Sequence, residues 1–116
     1  MRQDKLTTKF QQALAEAQSL ALSNDNQFIE PEHILAAVMD DEEGVANGLF
    51  ERAGANAKQI REAVTDAIAK FPKVTGTGGD VQVSRDTVRA FNLAEKEATK
   101  RSDSFISSEV FLLALT

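Results

Sequence analysis

The sequence predicts an all-α domain made of two similar helical repeats. Three observations support this prediction: apolar residues recur at helical spacings, caps and breakers divide the chain into six helical segments, and the two halves match each other. With 116 residues, of which 42% are apolar, the chain is long enough for one domain with a hydrophobic core. We therefore predict a single domain over residues 1–116.

The first helix is predicted from a stripe of apolar residues that share one helix face: Phe10, Ala13, Leu14, Ala17, Leu20 and Ala21. Thr8 with Gln11 three residues later has the pattern of a capping box, and Thr7 is the competing cap. The pattern leaves both caps open. Asn24-Asp25-Asn26 is predicted to end the helix, because short polar side chains bond the local backbone.

Three further helices are predicted in the first half. Pro31 suits the first position of the second helix, since its missing N–H costs nothing there. A short third helix is predicted from Val45 to Ala53, with Gly54 at its end. Asn56 is predicted to cap the fourth helix, and Pro72 to end it. The apolar stripes are Ile34, Leu35 and Val38 in the second helix, and Ile60, Val64, Ala67, Ile68 and Phe71 in the fourth.

The second half begins after a glycine-rich linker, predicted over residues 73–83 from Gly76-Thr77-Gly78-Gly79. Ser84 is predicted to cap the fifth helix, and Ser102-Asp103-Ser104 to end it. Ser107 is predicted to cap the sixth helix, which continues to the last residue given. The predicted apolar face of the fifth helix carries Val88, Phe91, Ala94 and Ala98.

An internal repeat explains this order of helices. Phe28-Ile29-Glu30-Pro31-Glu32 matches Phe105-Ile106-Ser107-Ser108-Glu109 at an offset of 77, and the same offset superimposes the alanines of the first and fifth helices. We predict four-helix repeats: repeat one over about 5–72, and a partial repeat two over 84–116. Repeat two stops where its own third helix is expected, so the sequence predicts a truncated second unit.

Composition argues against several classes of function. The chain has no cysteine, tryptophan or tyrosine and a net charge of −5, which argues against disulfides, cysteine zinc sites and nucleic-acid binding. No apolar run approaches the roughly 18 residues of a membrane span. The missing cysteines fit a cytosolic protein.

No catalytic, cofactor or metal site is predicted. The glycines before Asp80 lack the Lys-Ser/Thr of a phosphate-binding loop, and the Asp80 carboxylate would repel phosphate. His33 is the only histidine, and it lacks convergent partners, so a structural or exposed histidine is favoured.

Several spaced motifs carry a resemblance to a known family. They are Asn26-Gln27-Phe28-Ile29-Glu30-Pro31-Glu32-His33-Ile34-Leu35, its second copy from Asp103 to Leu112, and the connector from Val74 to Gln82. Together they make the whole chain resemble the Clp N-terminal repeat domain, and more closely that of the ClpB disaggregase family.

This resemblance implies a non-catalytic N-terminal domain that engages unfolded or aggregated polypeptides. The parent protein would be a cytoplasmic, ATP-dependent AAA+ ring, a homohexamer that cooperates with the DnaK system. ATP and Mg²⁺ would bind in its downstream modules and not in this chain. Neither nucleic acid nor membrane is an expected partner.

The resemblance also implies substrate-binding positions. Thr7, Asp103 and Glu109 match polar positions of the family, although a cap, a turn residue and a first-turn acid explain them equally well. Phe91, Leu93 and Val110 match an apolar furrow along the fifth and sixth helices. Leu93 lies off the predicted stripe of the fifth helix, whereas Phe91 lies on it. Phe91 and Val110 stand where the family is expected to have leucines, which alters the shape of that furrow.

Two other functions compete with this interpretation. The first is the adaptor-binding N-domain of a protease-associated Clp unfoldase, against which the connector and the opening segment argue. This opening segment is the stretch from Asp4 to Leu22, which also resembles the start of the ClpB family. Binding to unfolded polypeptide but not to an adaptor would separate the substrate-binding domain from the adaptor-binding one. The second is an enzyme with an unrecognised site, which a nucleotide-hydrolysis assay on the chain would test.

Overall fold

The computed structural model describes residues 6–40, 46–73 and 81–115, in which the chain forms six helices and two short strands. In chain order, these elements are α1 (Thr8–Ser23), β1 (Phe28–Ile29), α2 (Pro31–Asp40), α3 (Ala46–Arg52), α4 (Ala57–Ala69), β2 (Gln82–Val83), α5 (Arg85–Lys100) and α6 (Ser108–Leu115). The predicted helical fold is confirmed. The two-residue strands were not predicted, because a pair of residues is too short to show an alternating pattern.

Hydroxyl and amide side chains cap α1, α4, α5 and α6 at positions that the sequence offered. Ser84, Asn56 and Ser107 each accept a hydrogen bond from a backbone N–H three residues later, at 3.1–3.2 Å. At α1 the cap is Thr7, whose Oγ1 accepts from the N–H of Phe10 at 3.2 Å. Thr8 is already the first helical residue, so of the two caps that the sequence left open the structure uses Thr7.

Three helices end in the same hydrogen-bonded turn. After α1, the N–H groups of Asp25 and Asn26 donate to carbonyls of the last turn, at 3.1 and 2.9 Å. The corresponding bonds recur after α5 and after α3. One residue in each turn has a left-handed backbone conformation: Asp25 (φ 56°) after α1, Ser102 (φ 60°) after α5 and Gly54 (φ 84°) after α3. Glycine is therefore used at one of these turns, and polar residues tolerate the same conformation at the others.

The two repeats are related by a pseudo-two-fold axis. We call two residues 77 positions apart counterparts. Ile29 pairs with Val83, and Leu6 pairs with Ile106. Replacing each residue of the first pair by its counterpart gives the second pair, so the same contact is made twice with the two repeats in exchanged roles. Two backbone hydrogen bonds repeat the relation: the N–H of Thr7 donates to Ile106 at 3.0 Å and that of Ser84 to Ile29 at 3.2 Å. Such reciprocal contacts define a two-fold arrangement.

The hydrophobic core lies between α1, α2, α5 and α6. Both alanine stripes are buried against it, as the repeat predicted: Ala13, Ala17, Ala21, Ala90, Ala94 and Ala98. The predicted apolar face of α5 needs one correction, since Val88 is 47% exposed and Thr87 is fully buried in its place. Thr87 lies on the same helix face as the buried Phe91 and Ala94. Val88 is the next residue along the helix and is therefore turned away from that face.

The predicted linker is only partly described. Lys73 forms an isolated antiparallel bridge to Asn26, and Gln82 and Val83 form β2, so both ends of the predicted 73–83 segment pair with repeat one. The glycine-rich stretch from Gly76 to Asp80, and Val45 at the start of the predicted third helix, lie outside the described residues.

Candidate functional site

An open apolar groove lies between α1 and the first two turns of α5 and has a volume of about 370 Å³. We call it the α1–α5 groove. Its lining residues come from both repeats: Leu6, Gln11, Leu14, Ala15, Gln18, Ile29, Ile34, Val83, Thr87 and Phe91. The pairing of β1 with β2 brings Val83 beside Ile29, so the strand contact between the repeats forms part of the wall.

The floor and the rim of the groove differ in exposure. Ile34 and Thr87 are fully buried and Phe91 is nearly so, which places them at the floor. Gln11, Ala15 and Gln18 are exposed, and Val83 is 44% exposed, which places these residues at the rim. The groove therefore combines an apolar floor with an uncharged, partly polar entrance.

The polar side chain at the floor of the groove, Thr87, already has hydrogen-bond partners. The hydroxyl of Thr87 donates to the carbonyl of Ile29 at 2.7 Å and lies 3.0 Å from the hydroxyl of Ser84. Among the described lining residues none carries a charge. An apolar group that reaches the floor of the groove thus meets hydrocarbon and a Thr87 hydroxyl that already has partners, and no charge among the described lining residues is left buried and unpaired by its entry.

The three predicted apolar site residues lie in different environments. Phe91 lines the α1–α5 groove although only 5% of it is exposed. Leu93 is 46% exposed, which agrees with its position off the core stripe of α5. Val110 is buried in the core at the start of α6. Of the three, only Phe91 belongs to the groove, and the role of each in binding remains a prediction.

The three predicted polar site residues are also separately placed. Thr7 caps α1 and donates its N–H to Ile106. Asp103 is exposed in the turn after α5, with a carboxylate oxygen 3.5 Å from Nε of Arg101. Glu109 lies in α6, and its side chain is outside the described residues. Structural roles are thus visible for Thr7 and Asp103, and substrate contact by any of the three remains a prediction.

Sequence reasoning missed Leu6, Leu14 and Val83 as groove residues. The repeat contained a signal for them: Leu6 and Val83 are counterparts, and so are Leu14 and Phe91. Two residues related by a two-fold axis lie equally far from it on opposite sides. Counterparts that line one groove therefore mark the position of the axis, and these two pairs follow from the offset of 77 although the sequence analysis did not draw them.

His33 forms a buried polar network away from the groove. Its Nδ1 accepts from the N–H of Glu30 at 2.9 Å, and its Nε2 lies 2.9 Å from Oδ1 of Asn26. The amide of Asn26 donates to the carbonyl of Pro72 at 3.4 Å. Burial lowers the pKa of His33, and the carboxylate of Glu30 partly opposes that shift. The network joins the start of α2 to the segment after α4, which is a structural role.

A second depression, of about 270 Å³, lies where α4 packs against α1 and α2. Arg61 crosses it, donating to the carbonyl of Met39 at 2.6 Å and lying 3.8 Å from the carboxylate of Asp40. The guanidinium is thereby engaged in joining α4 to the end of α2. Among the described residues, no three His, Asp or Glu side chains are grouped to hold a metal ion, and no helix is long and apolar enough to cross a bilayer.

Comparison with known sequences gives the same match over the whole chain. Residues 5–116 match the family described as the Clp repeat (R) N-terminal domain. Chaperone protein ClpB of Vibrio cholerae is 44% identical over 114 residues, which cover 98% of this chain and 13% of that protein. ClpB of Rhodopseudomonas palustris is 44% identical over 117 residues, again covering 13% of its length. The chain thus spans about one eighth of these relatives.

Solved structures share the fold at lower identity. The Hsp104 N-terminal domain of Candida albicans has a TM-score of 0.85 and 22% identity, and the match covers 96% of this chain and 73% of that one. The ClpV N-domain in complex with a VipB peptide has a TM-score of 0.82 and 20% identity, covering 96% and 67%. From the family match we conclude that the chain belongs to the Clp repeat (R) N-terminal domain family, and its sequence is similar to a stretch of ClpB chaperones.

Proposed function

We propose that this chain is the non-catalytic substrate-binding domain of a ClpB-type AAA+ disaggregase. In this proposal it engages exposed apolar segments of unfolded or aggregated proteins and passes them to the pore of the ring. The observation that carries the proposal is the open α1–α5 groove, whose described lining carries no charge. Native proteins bury their large apolar side chains, whereas aggregates expose them, so such a groove distinguishes one from the other.

The remaining parts of the proposal concern the parent protein. ClpB relatives are about eight times longer than this chain, as the 13% coverage shows, so ATP and Mg²⁺ are assigned to modules outside it. We propose that the parent is a cytoplasmic homohexamer that cooperates with the DnaK system. The structure of a related ClpV N-domain with a VipB peptide supports peptide binding by this fold.

Weak binding would suit this role. Burial of apolar surface contributes about 25 cal/mol per Å², but ordering an extended segment offsets much of that gain. Low affinity would allow release towards the pore. Several copies on one ring would raise the overall affinity by avidity without any new contact.

The test is an NMR titration of the labelled 116-residue chain with a permanently unfolded protein. We expect shift changes in the α1–α5 groove, at Leu14 and Phe91, and none when a folded protein of similar size is added. Changes at Leu93 and Asp103 alone would move the site to the outer face of α5. No change at millimolar concentration, together with binding to a folded adaptor, would favour the adaptor-binding alternative.

A matched pair of variants sharpens this test. Val83→Asp places a carboxylate at the rim of the groove, whereas Val88→Asp places one at a similarly exposed position outside its described lining. We expect Val83→Asp to weaken binding by about ten-fold, since an apolar ligand would then desolvate a charge. Val88→Asp should bind as the unmodified chain does. If both variants weakened binding equally, binding in the α1–α5 groove would be contradicted.

A further inference from the structure

The core contains a cluster of three aromatic rings, which we call the phenylalanine cluster. Its members are Phe10, Phe91 and Phe111, with ring centroids separated by 5.1–5.8 Å and planes inclined at 44–51°. Tilted pairs at such distances are a favourable arrangement of aromatic side chains.

The counterparts of these three rings are smaller. In the same order, they are Thr87, Leu14 and Ile34. All three line the α1–α5 groove, so the groove occupies the position that corresponds to the phenylalanine cluster across the axis. On one side of the axis three rings fill the space, and on the other side a threonine, a leucine and an isoleucine leave about 370 Å³ open.

The axis itself passes through the lining of the groove. The midpoint between two counterparts lies on a two-fold axis, and both Leu6 with Val83 and Leu14 with Phe91 are counterpart pairs in the lining. Phe91 therefore belongs to both sites: its ring packs in the phenylalanine cluster, and its side chain also borders the groove. An aromatic ring entering the groove would meet the ring of Phe91, an isoleucine and a leucine.

We propose that the α1–α5 groove takes an aromatic side chain, of the phenylalanine type, from an uncharged stretch of a partner polypeptide. The bound ring replaces, on the open side of the axis, the packing that the phenylalanine cluster provides on the closed side. This inference rests on the proposed function and specifies which exposed apolar segments are selected. The uncharged lining favours segments whose residues beside the ring are also uncharged.

The test uses three synthetic peptides with the same uncharged host sequence and one central residue: phenylalanine, leucine or alanine. Each is titrated into the methyl-labelled 116-residue chain, and the dissociation constant is read from the methyl shifts of Leu6, Leu14 and Val83. An aromatic pair adds stabilisation beyond buried area, so the phenylalanine peptide is expected to bind about 2- to 13-fold more tightly than the leucine peptide. The alanine peptide should bind least.

Two Leu→Phe variants on the same helix provide the second measurement. Leu14→Phe gives the counterpart of Phe91 the same aromatic ring and fills the groove with it. Leu22→Phe adds a ring at an exposed position of α1 outside the described lining. We expect Leu14→Phe to lower the affinity for the phenylalanine peptide by about ten-fold or more, and Leu22→Phe to leave that affinity unchanged. Circular dichroism and thermal unfolding verify that both variants fold.

Each outcome decides between the two proposals. If phenylalanine and leucine peptides bind equally and shift the groove methyls, aromatic selection is overturned and the proposed function stands. If no peptide and no unfolded protein binds, both are overturned. If Leu14→Phe does not fold, the comparison of the three peptides on the unmodified chain still decides, and shifts confined to residues outside the groove overturn the inference.

Discussion

The ring of His33 shows how one buried side chain responds to pH. Its Nδ1 accepts the N–H of Glu30, so in the folded chain this nitrogen carries no proton and the ring is neutral. Protonation would place an N–H at Nδ1 against the N–H of Glu30 within a fully buried site. The sequence favoured a structural or exposed histidine, and burial decides for the structural role.

The pH dependence of stability follows from this arrangement. Because the pKa of His33 in the folded chain lies below its ordinary value of 6.5, the unfolded chain binds a proton more readily as the pH falls. The stabilisation is complete above about pH 6.5 and is lost as the pH falls towards the lowered pKa. We expect the urea midpoint to decrease between pH 7.5 and pH 5.5.

A variant isolates the contribution of the imidazole from that of the carboxylates. His33→Gln should be less stable than the unmodified chain at pH 7.5, but its urea midpoint should change less between the two pH values. Urea titrations of both proteins at matched ionic strength give this comparison. Parallel pH profiles would show that groups other than His33 determine the dependence.

At the scale of single elements, a tertiary contact decided where α1 begins. Thr7 and Thr8 both have the hydroxyl that a cap requires. The N–H of Thr7 donates to Ile106 of the other repeat, and Thr7 has the extended conformation (φ −64°, ψ 155°) of a cap. Its side chain is then placed to accept from Phe10. Ser84 caps α5 in the same way, and the sequence offered no competing cap there.

Ser84 should contribute more to stability than an ordinary exposed cap. It is 7% exposed, its Oγ accepts from the N–H of Thr87, and its hydroxyl lies 3.0 Å from that of Thr87. We expect Ser84→Ala to lower the free energy of unfolding by about 1–2 kcal/mol, measured by urea denaturation. Ser19→Ala, at an exposed position within α1, should change it by no more than about 0.5 kcal/mol. Similar losses for both would contradict a capping role.

At the scale of the whole molecule, the two repeats are held together by reciprocal contacts. The caps of α1 and α5, Thr7 and Ser84, each donate their backbone N–H to an isoleucine carbonyl of the other repeat, Ile106 and Ile29 respectively. The phenylalanine cluster likewise combines Phe10 of repeat one with Phe91 and Phe111 of repeat two. Neither repeat therefore completes its core alone, and the chain is expected to unfold as one cooperative unit.

Native-state hydrogen exchange tests this cooperativity. Ile34 in α2 is fully buried, and Ile34→Ala should lower the free energy of unfolding by about 2–5 kcal/mol. We expect the amide protons of α5 in the other repeat to lose as much protection as those of α2. Leu22→Ala, at a partly exposed site, serves as the control. A loss confined to repeat one would show that the repeats open independently.

The sequence by itself determined the features that depend on neighbours along the chain. Helical spacing, caps and breakers located the six helices of the described residues, and the offset of 77 located the repeat, because these signals act within a few residues or by direct similarity. The tertiary structure alone decided the choice of Thr7, the burial of Thr87 in place of Val88, the two short strands and the groove. Each depends on contacts between the repeats, and helical periodicity carries no information about which residues of distant segments meet across an axis.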